Sequence, residues 1–287
     1  YSFVPEHGKI GTDPGMDVGD EVWYYSDNSA DYSNKTTFWI AKGMQNSNEP
    51  LVDYWNGTQW GKAMFVGIRD CNVFIENIEK VPDLSAYDKE TWKAEAKVLK
   101  AFYHFWMMRM YGPIPIIKEN IPVSAGEDEV RVVRDKIDDI VTYIVSLIDE
   151  SVEYLPLNIQ NEAAEMGRIT RPAAKAIKAK ILAFAASPFF NGNLDYANFK
   201  NAEGEPFFNQ VYDNEKWTKA ADACLEAIQC AEEAGHGLYE FVNMSSTQLS
   251  DETILSLSNR CKVTERWNKE LVWGCGQSGI RDLQVLC

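Results

Sequence analysis

The sequence predicts a mainly α chain: tetratricopeptide-like helical-hairpin repeats joined by long irregular loops. Three observations carry this. Apolar residues recur at helical spacing in segments closed by Pro or Gly. The helices arrive in pairs, one rich in small residues and the next in bulky ones, as hairpin solenoids require. Only one short stretch, Glu270 to Trp273, reads as a strand. The spacing is irregular: the third helix starts about 46 residues after the second and the fifth about 43 after the fourth, against ~34 for the tidy repeat. The repeat is therefore degenerate, with long loops between its parts.

The elements follow in order. Residues 1–61 read as irregular, because Gly, Pro, Asp, Asn and Ser recur through GKIGTDPGMDVGDE, SDNSADYSN and QNSNEP. The same stretch carries Trp23, Tyr24, Tyr25, Tyr32, Trp39, Tyr54, Trp55 and Trp60. Aromatic side chains in a loop either plug it onto a domain or face a ligand. Residues 62–287 form the helical region. Phe65, Ile68, Asn72, Ile75 and Ile78 share one face of a first helix that Pro82 closes. A second runs from Lys89 to Tyr111, with Asp88 as its expected cap and Gly112-Pro113 as its stop; it is apolar nearly all round, so it is buried on more than one side. A third, Asp135 to Leu155, is amphipathic and ends at Pro156. A fourth, Arg171 to Ser187, is capped by Thr170 and carries seven alanines. A fifth, Asn214 to Glu233, is expected to bury Trp217, Ala221, Cys224, Ile228 and Ala231, with Gly235 ending it.

Composition excludes several classes of function. The chain of 287 residues is 45% hydrophobic and 12% aromatic, enough for a core. A formal charge of −15 repels phosphate backbones, so no nucleic-acid partner is expected. No apolar run is long enough to span a membrane, and the start, YSFVPEHGKIGTDPG, has no signal-peptide pattern. The six cysteines form no C-x-x-C pair and read as free thiols. His7, His104 and His236 have no metal-ligand spacing, and His104, inside an apolar helix, reads as a core residue. The run Gly274-Cys275-Gly276-Gln277-Ser278-Gly279 matches a dinucleotide fingerprint, but too few residues follow it for the strand–helix–strand unit that motif needs. Adjacent carboxylates, Asp20-Glu21 and Asp138-Asp139, cannot face each other across a bond as glycoside hydrolysis requires. No catalytic residue, metal site or cofactor is expected.

Five segments, in order, resemble one known family. Trp92 to Tyr103 and then Met110 to Ile117 are similar to the helix and exit "AEA-x-x-LRA-x-x-Y … LYG-x-P-L" of the SusD/RagB-like outer-membrane nutrient-binding lipoproteins. Asp135 to Pro156 resembles that family's next helix. Gly167 to Ala174 resembles "GR-x-T-x-x-AA", Ser187 to Asn193 resembles "SP-x-FNGN", and Trp267 to Trp273 resembles "N-x-E-x-I-W". The resemblance implies a non-catalytic protein that binds glycans at the cell surface for a SusC-like TonB-dependent transporter. It implies localisation at the outer membrane through a lipid anchor on a leading cysteine, which is expected to be absent from this chain because none precedes Tyr1. It also implies a longer protein, so the chain is expected to be partial or processed, without the family's C-terminal half. The same fold binding peptides is the alternative, followed by a cytosolic tetratricopeptide adaptor.

The residues fit a glycan ligand. Sugars present flat C–H faces edged by hydroxyls, which suit Trp and Tyr rings flanked by Asn, Asp and Gln. The stretch Glu21 to Asn28 supplies both kinds. The expected ligand contacts are Trp23, Tyr24, Tyr25, Tyr32 and Trp39, whereas Tyr54, Trp55 and Trp60, nearer the first helix, are expected to pack.

Overall fold

The computed structural model describes residues 1–4, 15, 19, 38–59, 61–244 and 246–274. Among them the architecture is helical, with three isolated β-bridges and no ladder. The six longer helices are α1 (Met64–Asn77), α2 (Ala86–Tyr111), α3 (Ile137–Asp149), α4 (Arg171–Ala186), α5 (Glu215–Glu233) and α6 (Asp251–Thr264). The chain divides into two compact units, Tyr1–Leu147 with Pro188–Tyr212, and Ile148–Ser187 with Asp213–Cys287.

In the first unit α1 packs along α2. Helix α2 starts three residues earlier than the sequence suggests. Ser85 is its cap, accepting the Asp88 amide, and Asp88 in turn accepts the Ser85 hydroxyl at 2.6 Å. Tyr103, Phe105, Trp106, Met107 and Met108 are all fully buried, as an all-round apolar helix demands. Each such side chain contributes roughly 1.5–3 kcal/mol on leaving water. Gly112 ends the helix at φ +68°, where other residues are strained, and a Cβ there would press on the Phe208 ring at 3.1 Å.

The extended exit after Gly112 is held by polar groups of α2. Lys100 donates to the Lys118 carbonyl at 2.6 Å. His104 Nδ1 meets the Lys100 carbonyl at 2.8 Å and so must carry the proton there, leaving Nε2 to accept the Ile117 amide at 3.2 Å. Burial pushes the Lys100 ammonium below its ordinary value. The core role expected for His104 is what the structure shows; it has no exposed surface.

Described parts of the first 61 residues lie against these helices. Phe3 meets Tyr103 edge-on at 6.4 Å, Lys62 donates to the Ser2 and Val4 carbonyls, and Tyr54 meets Trp106 edge-on at 5.4 Å. A short turn from Asp53 to Thr58 closes around one carboxylate. Asp53 accepts the Trp55 and Asn56 amides, the Asn56 side chain and the Thr58 hydroxyl, all within 3.0 Å. Burial works against its charge, but those hydrogen bonds hold the carboxyl below the usual range. Gly61 passes so close to the Asp53 carbonyl that a Cβ would overlap it.

In the second unit α4 and α5 form a hairpin. Thr170 caps α4 by accepting the Ala173 amide, with Pro172 in the first turn. Ala179 packs with Ala223 and Ala227, and such small side chains let two helix backbones approach closely. This corrects the expected face of α5. Its buried residues are Ala220, Ala223, Ala227 and Cys230, while Trp217 and Ile228 are 42% and 55% exposed and Cys224 is exposed too. The bulky stripe has helical periodicity, but the alanine-rich partner selects the small one.

Two further expectations change. Helix α3 is shorter than its apolar stripe, because the chain tightens into a 3₁₀ turn over Val152–Tyr154 before Pro156. Residues Glu270 to Trp273 leave a turn and enter a bend at Val272 and Trp273 instead of forming a strand, and α6 precedes them, a helix that hydrophobic periodicity does not reveal because it buries no residue. Cys71, Cys224, Cys230 and Cys261 are free thiols.

Candidate ligand-binding site

The second unit contains a cleft of about 420 Å³. Its wall is made by two segments that the sequence places a hundred residues apart, Gly167 to Thr170 and Trp267 to Gly274, with the end of α5 from Ala234 to His236 between them.

Each wall is fixed locally. Gly235, at φ +87°, ends α5 and turns the chain so that His236 faces the 267–274 segment. His236 Nδ1 lies 3.1 Å from the Lys269 carbonyl and therefore carries the hydrogen, leaving Nε2 as an acceptor. The Gly237 amide donates to the same carbonyl. Asn268 is spent on structure: its amide donates to the Lys262 and Glu265 carbonyls, and its oxygen accepts the Glu270 amide. Trp267 sits at φ +57°, unusual for a bulky residue, and its ring lies over Gly274, where a Cβ would come within 3.3 Å. Trp273 donates through Nε1 to the Gly167 carbonyl at 3.0 Å, and Arg168 pairs with Glu165 at 2.5 Å.

The result is a cleft lined by two partly exposed indoles, by the apolar side chains of Leu271 and Val272, and by His236, Lys269, Glu162 and Asn158. This volume falls within the usual range for small-molecule clefts, and the mixture suits a ligand with apolar faces and hydroxyl edges. Among the described residues, no three His, Cys, Asp or Glu side chains come together as a metal site would need.

Of the expected contacts, Trp23, Tyr24, Tyr25 and Tyr32 lie outside the described residues. Trp39 is half-buried in a short helical turn, edge-on to the buried Phe38 at 5.7 Å, with Lys42 Nζ 4.1 Å above Phe38 and 5.4 Å above Trp39. Tyr54 and Trp55 pack as anticipated. Trp55 meets Phe65 at 4.9 Å and Tyr111 at 5.5 Å, with the Arg134 guanidinium 5.1 Å from its ring; Trp60 lies outside the described residues. Sequence reasoning missed Trp267, Trp273 and His236 as site residues. The motif containing the two tryptophans is visible in the sequence, but a strand there does not imply the meeting of Trp273 with Gly167.

Comparison with known proteins places these features in context. Residues 11–182 match the sequence profile of a SusD-like family described as starch-binding and associating with the outer membrane. A SusD-like protein of Bacteroides ovatus is 31% identical over 99 residues, covering 34% of this chain and 16% of that one. The solved structure of BT4246 superposes with a TM-score of 0.69 at 30% identity, covering 88% of this chain and 44% of that one. Its selenomethionine form gives 0.68 at 29%, covering 90% and 44%. The chain thus covers less than half the length of each of these relatives.

Proposed function

The chain belongs to the SusD-like family, and on that premise we propose that it captures glycans at the cell surface, without cleaving them, for a SusC-like TonB-dependent transporter. The observation that carries the reading is the match of more than half the chain to a family described as starch-binding and associated with the outer membrane. The cleft is consistent with it. Trp267 and Trp273 supply flat apolar surface, and His236 Nε2, Lys269, Glu162 and Asn158 supply hydrogen-bonding groups, with no nucleophile–base pair among them. Trp23, Tyr24, Tyr25, Tyr32 and Trp39 are the further ligand contacts in this reading. Outer-membrane attachment comes through a lipid anchor; no helix among the described residues is long and apolar enough to cross a membrane.

Titration calorimetry of the chain against soluble starch, laminarin, xyloglucan and a set of unstructured peptides tests the proposal. Saturable binding of at least one polysaccharide, weakened in Trp267→Ala, with no release of reducing sugar, is the expected result. Binding of peptides alone would replace the glycan reading.

A further inference from the structure

The loop Pro188–Tyr212 of the first unit is the other concentration of rings, and the cleft does not use it. Phe190, Phe207 and Phe208 are buried, while Phe189, Tyr196 and Phe199 remain 46%, 41% and 40% exposed. Tyr196 stacks on Phe208, with centroids 4.9 Å apart and planes at 23°. Phe189 stands edge-on to both, 5.6 Å from Tyr196 and 5.7 Å from Phe208. Because Phe208 covers one face of Tyr196, the exposure of that ring falls on its other face and its hydroxyl edge.

The loop is long but not slack. The Gly192 and Asn193 amides both donate to the Asn209 carbonyl at 3.0 Å, and Asn193 and Asn209 side chains accept the Asp195 and Val211 amides. Gln210 donates to the Ala197 carbonyl, and Phe207 to the Phe199 carbonyl. Gly192, at φ +78°, passes so close to Tyr212 that a Cβ would lie 3.0 Å from its amide nitrogen. The rings are thus presented before any ligand arrives, which lowers the ordering cost of binding.

The geometry points to Tyr196, backed by Phe208 and flanked by Phe189, as a second glycan-binding platform that stacks one pyranose ring of an uncharged saccharide. Three features select this occupant. The open ring face matches the C–H face of a sugar, the Tyr196 hydroxyl stands at the edge of that ring to meet a sugar hydroxyl, and Asn198, two residues along the chain, is exposed. The loop's charges are Asp195, Lys200, Glu203 and Glu205, the last paired with Lys136 at 2.7 Å, so no cation cluster is present to draw an anionic sugar. Much of the loop's backbone is bonded internally, leaving no open strand edge for an extended peptide to pair with.

The inference rests on the glycan-capture reading, and the experiment separates the two. The polysaccharide that the wild-type chain retains in affinity gel electrophoresis is titrated into Tyr196→Ala, Tyr196→Phe and Trp267→Ala, each also melted thermally. The expected result is an affinity about tenfold lower for Tyr196→Ala, equivalent to ~1.4 kcal/mol, with Tyr196→Phe within about threefold of wild type. Wild-type affinity in a folded Tyr196→Ala overturns the platform while leaving glycan capture standing. If Tyr196→Ala does not fold, the decision passes to Tyr196→Leu, which keeps apolar packing on Phe208 but removes the flat ring, and wild-type affinity in it overturns the platform. Failure of the wild-type chain to bind any glycan overturns both, and peptide binding lost in Tyr196→Ala would identify the patch as a protein interface instead.

Discussion

Trp273 and Gly167, 106 positions apart, are joined by a hydrogen bond from the indole nitrogen to the glycine carbonyl at 3.0 Å. That bond joins the two walls of the cleft.

Trp273→Phe keeps a ring but removes the donor. It is expected to lower stability by about 0.5–1.5 kcal/mol, read as a shift in the urea midpoint, and to weaken binding in the cleft. A variant with the wild-type midpoint would show that the bond holds nothing.

His104 makes stability depend on pH. Burial lowers its pKa to about 4 from an ordinary 6.5, with the Lys100 carbonyl contact opposing and the Lys100 charge reinforcing the shift. The folded state therefore binds fewer protons than the unfolded one. Its contribution is complete above about pH 6.5 and is lost as pH falls toward 4, amounting to roughly 3 kcal/mol. Protonation also removes the acceptor for the Ile117 amide. Stability measured between pH 4 and 7 should rise with this slope, and His104→Gln should flatten it.

Ala179 lies where α4 meets α5, beside Ala223 and Ala227. Ala179→Leu should overpack this crossing and cost roughly 1–3 kcal/mol. An unchanged melting temperature would mean that the helices are free to separate there.

Asp53→Ala strips four donors of their acceptor at once, and is expected to cost about 1–3 kcal/mol. Because the Asp53 carboxyl is held below its ordinary value, its contribution is present above pH ~4 and fades as pH falls through the depressed value. Asp53→Asn, which keeps one oxygen acceptor, should lose less; equal losses would show that the turn does not depend on these bonds.

Where local chemistry decides an element, the sequence shows it. Thr170 ahead of Arg171-Pro172, Gly112 after Tyr111 and Gly235 after α5 each mark an end that the structure confirms. Where the partner decides, the sequence misleads. The Trp217, Cys224 and Ile228 stripe and the Ala220, Ala223 and Ala227 stripe are both periodic, and only α4's own alanines choose between them. Helix α6 leaves no periodic signal because it has no buried face to impose one, although Ser250 accepts the Thr253 amide as an ordinary cap. The cleft was hidden for a third reason: it depends on contact between distant segments and on a positive φ at Trp267, neither of which residue spacing encodes.

The outward stripe of α5 has a colloidal consequence. Trp217, Leu225 and Ile228 would make molecules of this chain adhere, and what opposes adhesion is mutual repulsion from a formal charge of −15. That repulsion is screened by salt over ~10 Å at 0.1 M and vanishes near the isoelectric point of about 4.7. Mild acid therefore removes the barrier between molecules in the same pH interval in which His104 withdraws stability from within each one.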